Sequence, residues 1–133
     1  NISGYEVDGY SEINFYRPLG LQRTMFNPYR IMDLDHIAPS EKDEYYRHTT
    51  VHGYAHDMGA AMLGGVSGHA GLFSNSYEIG VLMQMMLNKG SYGGRQFLSS
   101  ETIDLYTKRY WRSTRRGLGW DMKELNPDKK QKF

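Results

Sequence analysis

The run of small residues from Gly59 to Gly71, GAAMLGGVSGHAG, limits this chain more than any other feature. It holds five glycines. Each glycine costs a helix interior about 0.8–1.0 kcal/mol relative to alanine. Glycine also reaches dihedrals that other residues avoid, and small side chains let backbone approach backbone. The run therefore predicts a tightly packed connection rather than a regular element. A polar group, His52, His56 and Asp57, stands just before it. A well-specified helix follows. Asn75 is its expected cap, with Glu78 three residues on as in a capping box. Ile79, Leu82, Met83 and Met86 recur at i, i+3, i+4, i+7, with Val81 and Leu87 widening the stripe. Gly90 stands where a left-handed C-terminal cap falls. Met83, Met85 and Met86 are read as core filling rather than as soft ligands.

The rest of the chain is less regular. Residues 1–14 are polar, aromatic and glycine-punctuated, and read as loop. Pro18 biases Arg17 away from helix, and Gly20 suits a turn. Asn27-Pro28-Tyr29 is a further turn. Residues 31–39 predict a loop or a single helical turn. Ser40 and the acidic residues after it predict a short helix through Tyr46. Tyr92-Gly93-Gly94-Arg95 predicts a tight turn. Ser99 or Ser100 caps an expected helix from Glu101 to about Lys108, with Ile103, Leu105 and Tyr106 facing inward. Residues 116–122 alternate as the start of a strand.

With 133 residues the chain suffices for one domain with a modest core. A net charge of +1 makes no case for nucleic acid. The absence of cysteine excludes disulfides and thiolate zinc sites. No apolar run approaches the length of a membrane span. The N-terminus does not read as a signal peptide, and both ends read as cuts through a larger protein.

Two constellations carry possible chemistry. His48, His52 and His56 are spaced by four, and His52, His56 and Asp57 could offer nitrogen and oxygen to a metal. Gly53 interrupts that helix, so the expectation is no metal and no cofactor, with His52, His56 and Asp57 bonding backbone around the glycine-rich turn. Ser67, in Gly65-Val66-Ser67-Gly68-His69, narrowly misses the nucleophile elbow Gly-x-Ser-x-Gly, because His69 replaces the last glycine. It is not expected to be a nucleophile.

Several segments together resemble one family. They are Tyr10-Ser11-Glu12, the stretch from Phe15 to Leu21 (FYRPLGL), the block from His52 to Gly94, and Arg116-Gly117-Leu118-Gly119-Trp120-Asp121. The chain resembles the serine β-lactamase-like hydrolases, the group of class C β-lactamases, DD-peptidases and related esterases. The likeness is greatest to members that follow a family-3 glycoside hydrolase domain in bacterial envelope proteins. The resemblance implies an α+β fold, of which this chain supplies mainly the helical lobe. It implies a serine hydrolase acting on a small amide, ester or peptidoglycan-type substrate through an acyl-serine, in the periplasm or cell envelope.

Of that family's three motifs, only the Tyr-x-Asn loop can be placed. Tyr10 matches the proton-shuttling tyrosine, and is the implied catalytic residue. Ser11 and Glu12 fall at the substrate-binding positions, with Glu12 where the family has asparagine. His52, His56, Asp57, Gly68 and His69 are assigned to the structural turn or site wall. No serine is followed three residues on by lysine, and the oxyanion strand, Lys/His-Thr/Ser-Gly, has no match. His69-Ala70-Gly71 is rejected as that strand because it precedes a helix. The chain as given is therefore expected to show no hydrolytic turnover. Tyr10 and Pro18 also lie closer together than in the family, which puts a deletion or join at Asn14–Phe15 within a single partial domain, residues 1–133. The alternative is a non-catalytic, degenerate hydrolase module that binds cell-wall fragments or supports a linked glycoside hydrolase.

Overall fold

The computed structural model describes residues 2–111 and 114–123. It is an α+β chain of short helices and two-stranded ladders. The chain divides into two compact units, one ending at Val81 and the next starting at Leu82.

The first unit opens with helix α1, Val7–Ser11, which passes directly into a π-helical turn, Glu12–Tyr16. The expected loop over residues 1–14 is thus helical where it carries Tyr10-Ser11-Glu12. Arg17 is also helical, at φ −62° and ψ −47°, against the bias set by Pro18. The wide turn accommodates the proline. Its bonds step five residues, from Arg17 N–H to the Glu12 carbonyl at 3.0 Å and from Leu21 N–H to the Tyr16 carbonyl at 2.8 Å. Proline's missing donor falls between these two rungs. Tyr16, Leu19 and Leu21 are buried here, and Gly20 makes the expected turn at φ 76°.

Strand β1, Met25–Phe26, pairs antiparallel with β4, Leu72–Phe73, placing Met25 opposite Phe73 and Phe26 opposite Leu72. Between them lie two 3-10 turns, Pro28–Arg30 and Leu34–His36. The second is the single helical turn expected within residues 31–39. The hairpin of β2, Glu41–Asp43, and β3, Thr49–Val51, follows. It replaces the expected helix from Ser40 to Tyr46. Asp43 is the reason. Its carboxylate accepts from the amides of Tyr45, Tyr46 and Arg47 at 3.0, 2.9 and 3.1 Å. It also takes the Arg47 guanidinium at 2.7 Å. A side chain that satisfies local amides this way offers the backbone a turn instead of a helix, and Thr49, Thr50 and Val51 favour a strand.

Helix α2, Met58–Met62, takes in Gly59-Ala60-Ala61, so the small-residue run is helical at its start. It then ends as the glycines dictate. Gly64 is left-handed at φ 78°, and Gly65 N–H reaches back to the Ala60 carbonyl at 2.8 Å, a Schellman-type stop. From there the connection is as tight as expected. A Cβ on Gly71, at φ 101°, would meet the Gly65 carbonyl oxygen at 2.3 Å.

Helix α3, Ser76–Leu87, begins as predicted, with Glu78 N–H donating to Asn75 Oδ1 at 2.9 Å. The reciprocal half of the capping box is replaced. The Glu78 carboxylate accepts from the amides of Gln22 and Arg23 at 2.9 and 3.0 Å, and from Thr24 Oγ1 at 2.6 Å. Glu78 is 6% exposed and Thr24 1%. Because that bond turns Glu78 inward, the buried line of α3 is Glu78, Val81 and Met85. Ile79, Met83 and Leu87, expected on the inner stripe, are 47%, 41% and 76% exposed.

In the second unit, α3 stops at left-handed Lys89 and Gly90, with Gly90 N–H on the Met85 carbonyl at 2.9 Å. Strands β5, Ser91–Tyr92, and β6, Arg95–Gln96, close over the predicted turn, where Gly93 and Gly94 both have positive φ. Helix α4, Ser100–Thr107, is capped by Ser99, whose Oγ accepts from Thr102 N–H at 3.1 Å. Ile103 is buried as expected, but Leu105 and Tyr106 are exposed. Residues 116–122 do not start a strand. Arg116 bridges Asp121, and Gly117 N–H bonds the Trp120 carbonyl at 2.8 Å, closing a tight loop through Gly119. Among the described residues no helix is long and apolar enough to cross a membrane.

Glu78 yields the first prediction. Replacing it with alanine strands buried donors, each worth about 1–3 kcal/mol. Glu78→Ala should lower the unfolding free energy by at least that much in urea titration, and Glu78→Gln by less. Burial pushes the Glu78 carboxyl up, but the Thr24 hydroxyl and the amides of Gln22 and Arg23 outweigh it and hold the group below its usual range. A depressed folded pKa stabilises above the unfolded value, about 4.3, and that stability is lost as pH falls through the folded one. The acid-side loss of stability should therefore be shallower in Glu78→Gln than in the parent chain.

Candidate functional site

The β1–β4 ladder sets the loop from Ser67 to Gly71 beside α1 and the π-helical turn. Here is a cleft of about 420 Å³ lined by Val7, Ser11, Tyr16, Phe26 and residues Ser67 to Leu72. Ser67 Oγ lies 2.7 Å from His69 Nδ1. His69 Nε2 lies 3.1 Å from Asp57 Oδ1. The three side chains thus form one continuous relay at the cleft mouth. The carboxylate can only accept, so Nε2 carries the imidazole proton and Nδ1 is left to accept from the serine hydroxyl.

Asp57 is also the cap of α2, accepting from Ala60 N–H at 2.7 Å. The Ala60 amide and then the His69 ring hold its carboxyl below the usual range. It therefore stays ionised at neutral pH, and the same oxygen, Oδ1, accepts from both the Ala60 amide and the imidazole. The amides of Gly68, His69 and Ala70 donate to no protein acceptor among the described residues. At the rear of the cleft, burial pushes the Tyr16 phenol up, and a hydrogen bond with Ser11 acts against that.

The residues expected to carry function divide. Ser11, Gly68 and His69 line this cleft, and Asp57 supports it. Tyr10 is 43% exposed and faces a neighbouring hollow of about 540 Å³ with Ile2, Tyr5, Val7 and Ser11. Val7 and Ser11 are common to both. Glu12 pairs with Arg17 at 3.3 Å. His52 Nε2 sits 2.5 Å from the Ile37 carbonyl oxygen, outside the glycine-rich turn. His56 is exposed, 3.9 Å from Glu41. His52, His56 and Asp57 accordingly take three different partners. Sequence reasoning missed Ser67 as the partner of His69. The available signal was a serine two residues from a histidine in a glycine-rich loop, with an acidic helix cap upstream.

No family model matches the chain, and no solved structure matches it. Curated relatives do. A protein of Escherichia coli O157:H7 described as "Putative D-alanyl-D-alanine carboxypeptidase" is 42% identical over 132 residues, covering 90% of this chain and 30% of its own length. Proteins of the same description from Escherichia coli strain K12 and Salmonella agona strain SL483 are 41% and 39% identical over the same share of this chain. The chain spans about 30% of the length of these relatives.

The loop's geometry yields the second prediction. Gly71→Ala places a Cβ against the Gly65 carbonyl at a φ that alanine resists, a strain of about 1–3 kcal/mol. The variant should keep its helices by circular dichroism but lose hydrogen-exchange protection around residues 64–73, with shifted His69 ring resonances. Unchanged His69 resonances would show that the loop does not depend on this contact.

Proposed function

We propose that this chain is part of a DD-peptidase-like serine hydrolase, one that opens an amide or ester of peptidoglycan type through an acyl-serine intermediate. The similarity to relatives described as D-alanyl-D-alanine carboxypeptidases, near 40% identity over 90% of the chain, carries this reading. The mixed helix and small-sheet architecture is compatible with part of a β-lactamase-like fold. In this reading Tyr10 is the proton-transferring phenol, and Ser11 with the Gly68–His69 loop forms a wall of the substrate cleft. The serine nucleophile, its lysine base and the oxyanion strand come from outside the chain. The periplasm or cell envelope is the matching compartment, where such a substrate lies, and linkage to a glycoside hydrolase domain is part of the same proposal.

The partial domain is proposed to be shortened internally, near Asn14–Phe15. The alignment to the first relative runs over 132 positions yet takes in 90% of 133 residues, about 120. That leaves about a dozen positions without a counterpart, which supports a shortening of this kind. A second reading, a degenerate module that binds cell-wall fragments without turning them over, is favoured by one observation. Glu12, which the resemblance puts at the motif's asparagine position, is tied to Arg17.

A hybrid tests the choice. This chain replaces the matching stretch of the Escherichia coli strain K12 relative, and the product is assayed with a D-alanyl-D-alanine peptide and a fluorescent penicillin. The enzyme reading expects release of D-alanine and a covalent penicillin adduct. Tyr10→Phe keeps the ring but removes the transferable proton, and should slow acylation on the order of a hundredfold. A folded hybrid that binds peptide without acylation establishes the degenerate module. The isolated chain should form no penicillin adduct, because no Ser-x-x-Lys is present.

A further inference from the structure

We propose that Ser67, His69 and Asp57 form an acyl-transfer site of their own, with Ser67 as nucleophile toward small, activated carboxylic esters. This reverses what the imperfect nucleophile elbow predicts from sequence, and it stands apart from any Ser-x-x-Lys chemistry.

Three observations meet here. The first is the relay itself, with Oγ to Nδ1 at 2.7 Å and Nε2 to Oδ1 at 3.1 Å. Both are within the reach required of a nucleophile, its base and the group that orients the base. The ring nitrogens are used in the opposite sense to the serine proteases, but such a triad is defined by geometry and roles. The second is the cleft. Val7, Phe26, Ala70 and Leu72 give it apolar walls sized for a short acyl chain. The third is the set of amides of Gly68, His69 and Ala70, which lie in the same loop as the nucleophile and have no protein acceptor among the described residues. They can donate to the oxyanion that develops on the ester carbonyl.

The chemistry balances with water as the second reactant. His69 Nδ1 takes the Ser67 proton as Oγ bonds to the acyl carbon, and the carbonyl electron pair moves to oxygen. The pair returns, the ester C–O bond breaks, and the alcohol or phenol leaves with the proton from Nδ1. A water then gives its proton to Nδ1 as its oxygen bonds to the acyl carbon. The Ser67 ester breaks, the carboxylic acid departs, and Nδ1 returns a proton to Oγ. Asp57 accepts from Nε2 throughout, holding the ring and stabilising the transient imidazolium.

The test uses the purified chain, folded by circular dichroism, with 4-nitrophenyl acetate and butyrate and with a fluorophosphonate probe. The expected result is 4-nitrophenolate release above buffer and a phosphonyl mass increment mapped to Ser67. Ser67→Ala should abolish the label. His69→Gln should slow both reactions by roughly 10²-fold or more, the range for a general base. Asp57→Asn keeps a side chain that can cap α2, so its slower labelling reports on orienting the base rather than on unfolding. Absence of label on Ser67 in folded protein overturns the proposal, and so does ester turnover unchanged in Ser67→Ala. The same labelling in the hybrid protein answers for a chain whose loop needs the rest of the relative to settle. Loss of penicillin acylation in that hybrid bears on the DD-peptidase reading alone.

Discussion

A single buried carboxylate positions most of what matters in the first unit. Glu78 stands at the third residue of α3, where its usual partner is the backbone amide at the helix cap. It instead takes two amides and a hydroxyl from residues 22–24, more than fifty positions upstream. A buried carboxylate must satisfy several lone pairs at once, and three converging donors outbid one local amide. The consequence runs along the chain. Residues 22–24 lead straight into β1, β1 pairs with β4, and β4 anchors the loop that carries Ser67 and His69. The cleft against α1 therefore depends on a bond made at the start of a helix that does not itself line it.

What was legible in the sequence is what local chemistry decides. Asn75 and Ser99 cap their helices, Gly93-Gly94 turns a hairpin, and α3 stops at Gly90, because each needs only its near neighbours. The failures are places where a distant or competing partner wins. The face of α3 was misassigned because Glu78 was counted as a cap and not as a buried group. The segment after Ser40 was read as helix because Ser40 and the acidic residues suit a first turn, while Asp43 spends its oxygens on the amides that helix would need. Residues 7–14 read as loop because neither period describes a five-residue helix running into a π-turn.

The site was half legible for the same reason. Asp57 and His69 were both picked out, but as separate pieces of a turn. Eleven residues lie between them, five of them in a helix. Only the Schellman-type stop at Gly64–Gly65, and the pressing of Gly71 onto the Gly65 carbonyl, fold that stretch back on itself. Glycine enforces the return through its dihedrals, which leave no periodic trace. Close packing is legible in the run, but packing alone does not say which side chains it brings face to face.

The two chemistries argued for this chain make different demands on one surface. A proton-transferring tyrosine needs a neighbouring cation to ease its proton away. The imidazole of His69 needs only Asp57, which the chain already supplies. Yet both partners are substantially open to solvent, with side-chain exposures of 60% and 44%. Charges that water surrounds attract each other far more weakly than charges held in a low-dielectric interior. An open relay therefore sits toward the weak end and stabilises its imidazolium only modestly. It can assist a leaving group that is already good, such as a nitrophenolate, and gives little help to an amine. Amide cleavage at this surface requires exclusion of water from the Ser67 loop and a stronger field at the oxyanion. A covering element over the cleft would supply the first, and a donor strand the second.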